Sequence, residues 1–303
     1  MKILFNSIII IILTLALFTS CDTKNGEKST TKKIIVSNWI GYVPLLYAYE
    51  NGKLDNLNID IVVTNSLQSS LNLIKRNNYD AIAVTQKEFF ILNDKISNNS
   101  YEPLVLIDRS YGGDAVLSNI SKETLLKKQY SKLNIFLEKD SVNEIVLDCF
   151  VKSYNIDEDK IVIHNMNQEN ILDLKCVSKD KSPKLIVTYE PYLSKLVKSG
   201  FNIISSTKDD DIFVLDFLAV KKDSFTKDEL IELSSILNEA NLKLQEEPLE
   251  VYKSVKIYIT DICKDEFLSS LNQIEIVTDK NIKKIEKLID KNNLDIDFKN
   301  IKW

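Results

Sequence analysis

Histidine is almost missing from this chain of 303 residues: the only one is His164. That count alone excludes a histidine-based catalytic triad, a multi-histidine zinc site and a haem pocket with paired histidines. Arginine is nearly as scarce, with Arg76 and Arg109 alone among 39 basic residues. Acidic residues number 44 and the net charge is -5, so there is no positive excess of the kind a nucleic-acid surface needs. Beyond Cys21, the cysteines Cys149, Cys176 and Cys263 are far apart and form no C-x-x-C pair. A metal site is therefore not expected. A Cys149–Cys176 bridge stays open, and buried free thiols are the simpler reading. What the chain has in quantity is apolar material, 44% of residues, which is enough for one large core or two smaller ones.

The first twenty residues read as an export signal. Lys2 gives a short positive start, and Ile3 to Phe18 is almost wholly apolar but too short and wrongly flanked for a stable membrane span. The segment ends Leu17-Phe18-Thr19-Ser20-Cys21, which resembles the lipobox of bacterial lipoproteins, with Phe18 where leucine is usual. The resemblance makes Cys21 the lipidated first residue of the mature chain and places the protein outside the cytoplasm, held at a membrane surface. Residues 21–32 carry no apolar side chain beyond Cys21 and read as a flexible tether.

After the tether, short apolar runs alternate with helical patterns. Strands are predicted at Lys33–Asn38, Leu57–Val63, Asp80–Thr85 and Glu102–Asp108, then at Leu133–Leu137, Ile161–His164, Lys184–Thr188, Phe201–Ser205 and Ile212–Val220. Between them, Ser66–Asn77 puts Leu67, Leu71 and Ile74 on one helical face, and Ser141–Ser153 and Gln168–Val177 also read as helices. From Thr226 to about Asn292 the pattern is mostly helical, and Lys280–Lys291 looks like a solvated face. Strands separated by helices predict an α/β protein with parallel sheets, whose ligands bind beyond the carboxyl ends of the strands.

The scarce residues fall at those strand ends. Gly41 lies in Trp39-Ile40-Gly41-Tyr42-Val43-Pro44 after the first strand, where aromatic rings flank a turn that exposes helix N–H groups. Gly112 and Gly113 lie in Asp108-Arg109-Ser110-Tyr111-Gly112-Gly113-Asp114 after the fourth. Glu190 sits in Thr188-Tyr189-Glu190-Pro191-Tyr192, facing a cleft or serving only its own helix as an N-terminal carboxylate. Asp140 or Ser141 caps the next helix, and Asp216 interrupts an apolar strand as a cleft residue or an exposed one.

In this order the segments W-x-G-Y-x-P, A-x-x-N-G (Ala48–Gly52), D-A-I-A-V-T, D-R-S-Y-G-G-D-A, T-Y-E-P-Y and D-F-L-A-V resemble one family. It is that of the extracytoplasmic substrate-binding proteins of ABC importers, of the nitrate, taurine, aliphatic sulfonate and thiamine-pyrimidine-precursor type. The resemblance implies a two-lobed periplasmic-binding-protein-like fold of type II with two hinge crossings and a helical C-terminal tail. Lobe one would be 33–115 plus 217–303, and lobe two 116–216. It also implies a cleft with Trp39, Gly41 and Tyr42 as walls and the Thr85 hydroxyl after the third strand. Ser110 and Gly112, Gly113 and Asp114 would lie at the hinge, Ser141 and Glu190 would close from lobe two, and Asp216 would join them. The expected partners are a small-molecule ligand, an ABC permease and a membrane reached through the lipid on Cys21. The chain is expected to act as a monomer and a non-enzyme, without cofactor or nucleic acid; the alternatives are a ligand-sensing lipoprotein that reports to a receptor and a pyrimidine-forming enzyme on the same fold.

Two ligand types fit these residues. Arg109 and the helix N-termini near Pro44 and Ser141 suit a sulfonate or another small anion. Aromatic walls with Asp114, Glu190 and Asp216 suit an amine-bearing heterocycle or a cation. The excess of acidic residues inclines the balance to the second.

Overall fold

The computed structural model describes residues 31–76, 78–98, 100–127, 130–176, 183–209, 212–294 and 296. Cys21, the signal segment and nearly all of the tether lie outside the described residues.

Among the described residues eleven strands form two sheets. The first sheet has the order β11-β4-β10-β3-β1-β2 and the second β7-β6-β8-β5-β9. The strands of the first are β1 (Lys32–Ser37), β2 (Ile59–Thr64), β3 (Ala81–Thr85), β4 (Tyr101–Ser110), β10 (Leu215–Lys221) and β11 (Ile274–Ile276). Those of the second are β5 (Asp114–Ser118), β6 (Leu133–Leu137), β7 (Ile161–Asn165), β8 (Lys184–Tyr189) and β9 (Asn202–Ser206). Each sheet with its helices is one lobe.

The chain passes between the sheets twice, through Tyr111–Gly113 after β4 and again between β9 and β10. The crossings account for one departure from the expected parallel sheets. β1 is parallel to β2 and β3, and β6 is parallel to β7 and β8. β10, however, runs antiparallel to β3 and β4, and β5 antiparallel to β8 and β9. A strand that arrives from the other lobe enters its sheet from the end opposite to a strand delivered by a crossover helix, so its direction reverses. β11, antiparallel to β4, also shows that the C-terminal region is not helical throughout: it returns one short strand to the first sheet.

The first sheet is buried on both faces, as near-continuous apolar strands require. Against one face pack Val43–Glu50 and the C-terminal helices Lys227–Glu246 and Pro248–Val255, around Ile34, Val36, Leu218, Leu237 and Val251. Against the other pack Leu67–Ile74, Gln86–Ile91 and Ile282–Lys291, around Ile35, Val84, Leu106 and Phe217. The predicted stripe of Leu67, Leu71 and Ile74 is buried, and so is the stripe Ile282, Ile285 and Ile289 under the lysine-rich face. Lys227–Glu246 begins with a capping box in which Thr226 and Glu229 exchange backbone hydrogen bonds. At its far end the buried Asn241 side chain donates to the Ile107 and Val277 carbonyls, at 3.3 and 2.9 Å, and so fastens the helix to the sheet. The predicted helix Gln168–Val177 is shorter than expected, covering Gln168–Ile171. Among the described residues Cys149, Cys176 and Cys263 form no disulfide. The expectation that they are buried is not met: Cys149 and Cys176 are half-buried and Cys263 is exposed.

Candidate functional site

The carboxyl ends of β1, β3 and β4 meet the second lobe along one seam. Trp39, after β1, is 4% exposed, and its indole lies on two glycines. A Cβ on Gly41 would stand 2.5 Å from Trp39 Nε1, and one on Gly113 would stand 2.5 Å from Trp39 Cη2. Both positions therefore need glycine for close approach. The indole N–H is shared between the Asp108 oxygens at 3.2 and 3.4 Å, and its ring meets Tyr189 edge-on with centroids 6.2 Å apart. Tyr42 turns the other way and donates from its hydroxyl to Asp216 Oδ1 at 2.6 Å.

Register places three polar residues side by side across the sheet. Asp216 on β10 lies opposite Thr85 on β3 and opposite Asp108 on β4. Thr85 caps the following helix by accepting from Lys87 N–H, and its own hydroxyl donates to Glu88. The other Glu88 oxygen accepts Val142 N–H from the second lobe at 2.7 Å. Nearby, Ser66 Oγ donates to Glu138 Oε1 at 2.9 Å, Gln68 Nε2 to the Lys139 carbonyl at 2.7 Å, and Lys87 pairs with Glu144 at 2.7 Å. These contacts close the lobes on each other.

At the hinge, Thr207 joins the two crossings. Its hydroxyl oxygen accepts Gly112 N–H at 2.7 Å and lies 2.8 Å from Ser110 Oγ. Thr207 N–H in turn donates to the Asp114 carbonyl at 3.0 Å, and Glu190 N–H donates to the Gly113 carbonyl at 2.9 Å.

The loops around Trp39, Gly113 and Glu190 therefore share one place, with Tyr42, Thr85, Asp114, Ser141 and Asp216 beside them. Their roles differ in detail from the expected ones. The Ser141 hydroxyl donates to the Glu138 carbonyl at 2.6 Å and accepts from Asn143 N–H, so it is occupied within its own turn. The Glu190 carboxylate accepts from Ser194 N–H and Oγ at 3.3 and 2.7 Å and thus serves its own helix. Asp216 is 1% exposed, which removes the reading of an exposed strand end. Arg109 faces away from this place, toward Glu275 at 3.5 Å and the rings of Tyr111 and Phe213. Four residues were not singled out from the sequence: Glu88, Asp108 and Glu138 as buried acids, and Thr207 as the hinge hydroxyl. Asp108 and Glu138 carried a readable signal, since each is an acidic residue at or near the carboxyl end of an apolar strand.

Burial dominates the electrostatics. It pushes the Asp108 carboxyl up to about 8, against the Trp39 hydrogen bond and with the Asp114 charge adding to the rise. Asp114 and Glu138 are each pushed up to about 7, again chiefly by burial. Asp216 is held well above the usual carboxylate range by burial and then by the Asp108 charge, and Glu88 and Glu190 are raised by burial. Among the described residues no lysine or arginine pairs with any of these six. The described residues also contain no group of three His, Cys, Asp or Glu side chains placed to hold a metal ion. Beside the seam lies a cavity of about 190 Å³, lined by Asn38, Thr64, Asn65, Tyr192, Lys195 and Asp261 among others.

Neither a protein-family model nor a curated protein matches the sequence. Solved structures match its fold. The ligand-binding component of an ABC-type import system from Staphylococcus aureus, solved with zinc bound, superposes with a TM-score of 0.63 at 13% identity, covering 87% of this chain and 92% of that one. The periplasmic aliphatic sulphonate binding protein SsuA from Escherichia coli gives 0.62 at 10% identity, over 90% and 91%. The desulfurization enzyme DSZB gives 0.56 at 11% identity, over 87% and 93%. The chain has the two-lobed periplasmic-binding-protein fold of type II. Binding proteins and an enzyme share it, so the fold alone does not decide between them.

Proposed function

We propose that this protein is an extracytoplasmic solute-binding lipoprotein, anchored through Cys21, that captures a small molecule between its lobes and delivers it to the permease of an ABC importer. The observation that carries the reading is the convergence of the strand-end loops around Trp39, Gly113 and Glu190 on one seam between two lobes joined by two crossings. A ligand that touches both lobes at once favours their closure, and a permease can read the closed shape. In this reading the first sheet with its helices and the second sheet with its helices move as the two jaws, which shifts the expected boundaries of 33–115 plus 217–303 and 116–216 by two residues at each crossing, and Tyr111–Gly113 with Thr207 forms the hinge.

Binding without chemistry is favoured by the place of the one imidazole. His164 lies on edge strand β7, stacked on Phe136 at 4.6 Å and bonded through Nε2 to Asn134 Oδ1 at 2.9 Å, among residues of the second sheet. It is committed there and serves no reacting group at the seam.

Thermal unfolding of the full chain in detergent, against sulfonates, nitrate, pyrimidines and small amines, tests the proposal. A ligand at 100-fold its dissociation constant stabilises by about 2.7 kcal/mol, which is readily measured. Trp39→Ala is expected to remove that shift while the chain stays folded, and the ligand is expected to be recovered unchanged. A Trp39→Ala variant with undiminished binding would misplace the site, and a new product after incubation would make the protein an enzyme.

A further inference from the structure

The contacts at the seam close into a ring. Trp39 N–H donates to Asp108, and Asp108 lies opposite Asp216, which lies opposite Thr85. Thr85 donates to Glu88, and Glu88 accepts from Val142 N–H across the lobes. The preceding residue, Ser141, bonds the Glu138 carbonyl, and Glu138 Oε2 lies 3.5 Å from the Tyr189 hydroxyl. Tyr189 completes the circuit edge-on against Trp39. The ring thus draws on both lobes and joins four carboxyl groups to two aromatic rings.

Its donors are already spent. The Trp39 N–H, Tyr42 O–H, Thr85 O–H and Val142 N–H all point at carboxylates of the ring itself. Among the side chains that form the ring, the atom left over is an acceptor: Asp216 Oδ2, in a side chain 1% exposed, has no hydrogen-bond partner among the described residues. An anion placed against Asp216 Oδ2 would meet an acceptor and not a donor. A donor-rich cation would satisfy the orphaned oxygen, offset the like charges of Asp108, Asp216 and Glu88, and lie against π faces that attract positive charge.

We infer that the solute is a cation, an ammonium or amidinium compound, whose charge is held by Asp108, Asp216 and Glu88 of one lobe with Glu138 of the other, beside Trp39, Tyr42 and Tyr189. The inference rests on the solute-binding reading above and names the chemistry of that same site. It separates this chain from an anion binder on the same fold, because in it Arg109 is turned to Glu275 and the strand-end donors are already engaged by carboxylates.

The test uses the full chain in detergent with putrescine, agmatine and thiamine as cationic probes and ethanesulfonate and nitrate as anionic ones. At about pH 8, where free carboxylates are ionised, at least one cation is expected to raise the melting midpoint, and neither anion to do so. Asp108→Asn and Asp216→Asn are each expected to weaken that cation tenfold or more. A second measurement needs no ligand: with no solute added, both carboxamide variants are expected to melt above the parent, because each removes a carboxyl that ionises freely in the unfolded chain and is kept from doing so by burial among like acids in the fold. Silence from all three cations overturns the inference, and so does a lower midpoint for both variants. A shift by ethanesulfonate or nitrate overturns the charge class while leaving solute binding intact, and silence from cations and anions alike counts against both.

Discussion

The Tyr42 hydroxyl donates to Asp216 Oδ1 at 2.6 Å, linking the turn after β1 to the strand that returns from the second lobe. Both partners are fully buried, and the second Asp216 oxygen has no partner. The carboxyl is therefore held by one hydrogen bond among like charges, and removing that bond leaves a buried polar group unpaired. Tyr42→Phe is expected to cost about 1–3 kcal/mol of stability. Urea unfolding at neutral pH measures it, and a change below about 0.5 kcal/mol would mean that Asp216 finds another donor.

Stability should fall as pH rises from mildly acidic to mildly basic. Asp108 is pushed to about 8 from 3.8, Asp114 to about 7 from 3.8, and Glu138 to about 7 from 4.5. Each carboxyl keeps its proton to a higher pH when folded, so between those values the folded state binds more protons than the unfolded one. Their contribution is complete below about pH 4 and is lost as pH climbs through 7 to 8. Glu266 and Glu229, lowered by Lys198 and Lys32, act oppositely, but their contribution disappears only below the ordinary glutamate range and both pairs are partly open to solvent, which screens them. Urea midpoints measured at steps from about pH 5.5 to 8.5 are expected to decline, and a midpoint that rises across that range contradicts the burial of these acids in ionisable form.

The hinge hydroxyl offers a separate handle. Thr207→Val keeps the shape but removes the acceptor for Gly112 N–H and the partner of Ser110 Oγ, both inside the buried crossing. The expected loss is about 1–2 kcal/mol, with a weaker coupling between lobes. Small-angle scattering is expected to give a larger radius of gyration for the variant than for the parent. Equal radii with equal stability would mean that the crossings are held by their backbone bonds alone.

Most of the lobes' strands were legible, because a buried strand in an α/β protein is a short apolar run bounded by polar residues. Direction was not. The apolar run of β10 reads identically whether it lies parallel or antiparallel, since only the route by which the chain reaches the sheet decides it. β5, Asp114–Ser118, was missed because it starts directly after the glycine pair and merges with that loop in the pattern. β11 has three residues, too few for any period. At the site, glycines and aromatic residues marked the right loops because close approach demands glycine there. Glu88 was hidden: in an amphipathic helix a glutamate reads as solvated, and its burial follows from the second lobe closing on it. Ser141 was read as facing a ligand, and Glu190 as facing one or as serving its own helix; local turn and cap geometry claims both side chains, which favours the second reading of Glu190.

Gly41 gives the sharpest check on how Trp39 is seated. A Cβ there would stand 1.8 Å from Asp108 Oδ2 and 2.5 Å from Trp39 Nε1, so Gly41→Ala cannot keep both groups in place. The indole must leave its bond to Asp108 or the turn must shift, and either exposes a ring that is now 4% accessible. The sequence holds two tryptophans, Trp39 and Trp303, so a Trp303→Phe background makes emission report on Trp39 alone. In that background Gly41→Ala is expected to shift emission to the red and to lower stability by about 1–3 kcal/mol, the usual cost of overpacking a filled site. Unchanged emission with unchanged stability would mean that Trp39 does not rest on Gly41, and the ring of contacts between the lobes would lose its first link.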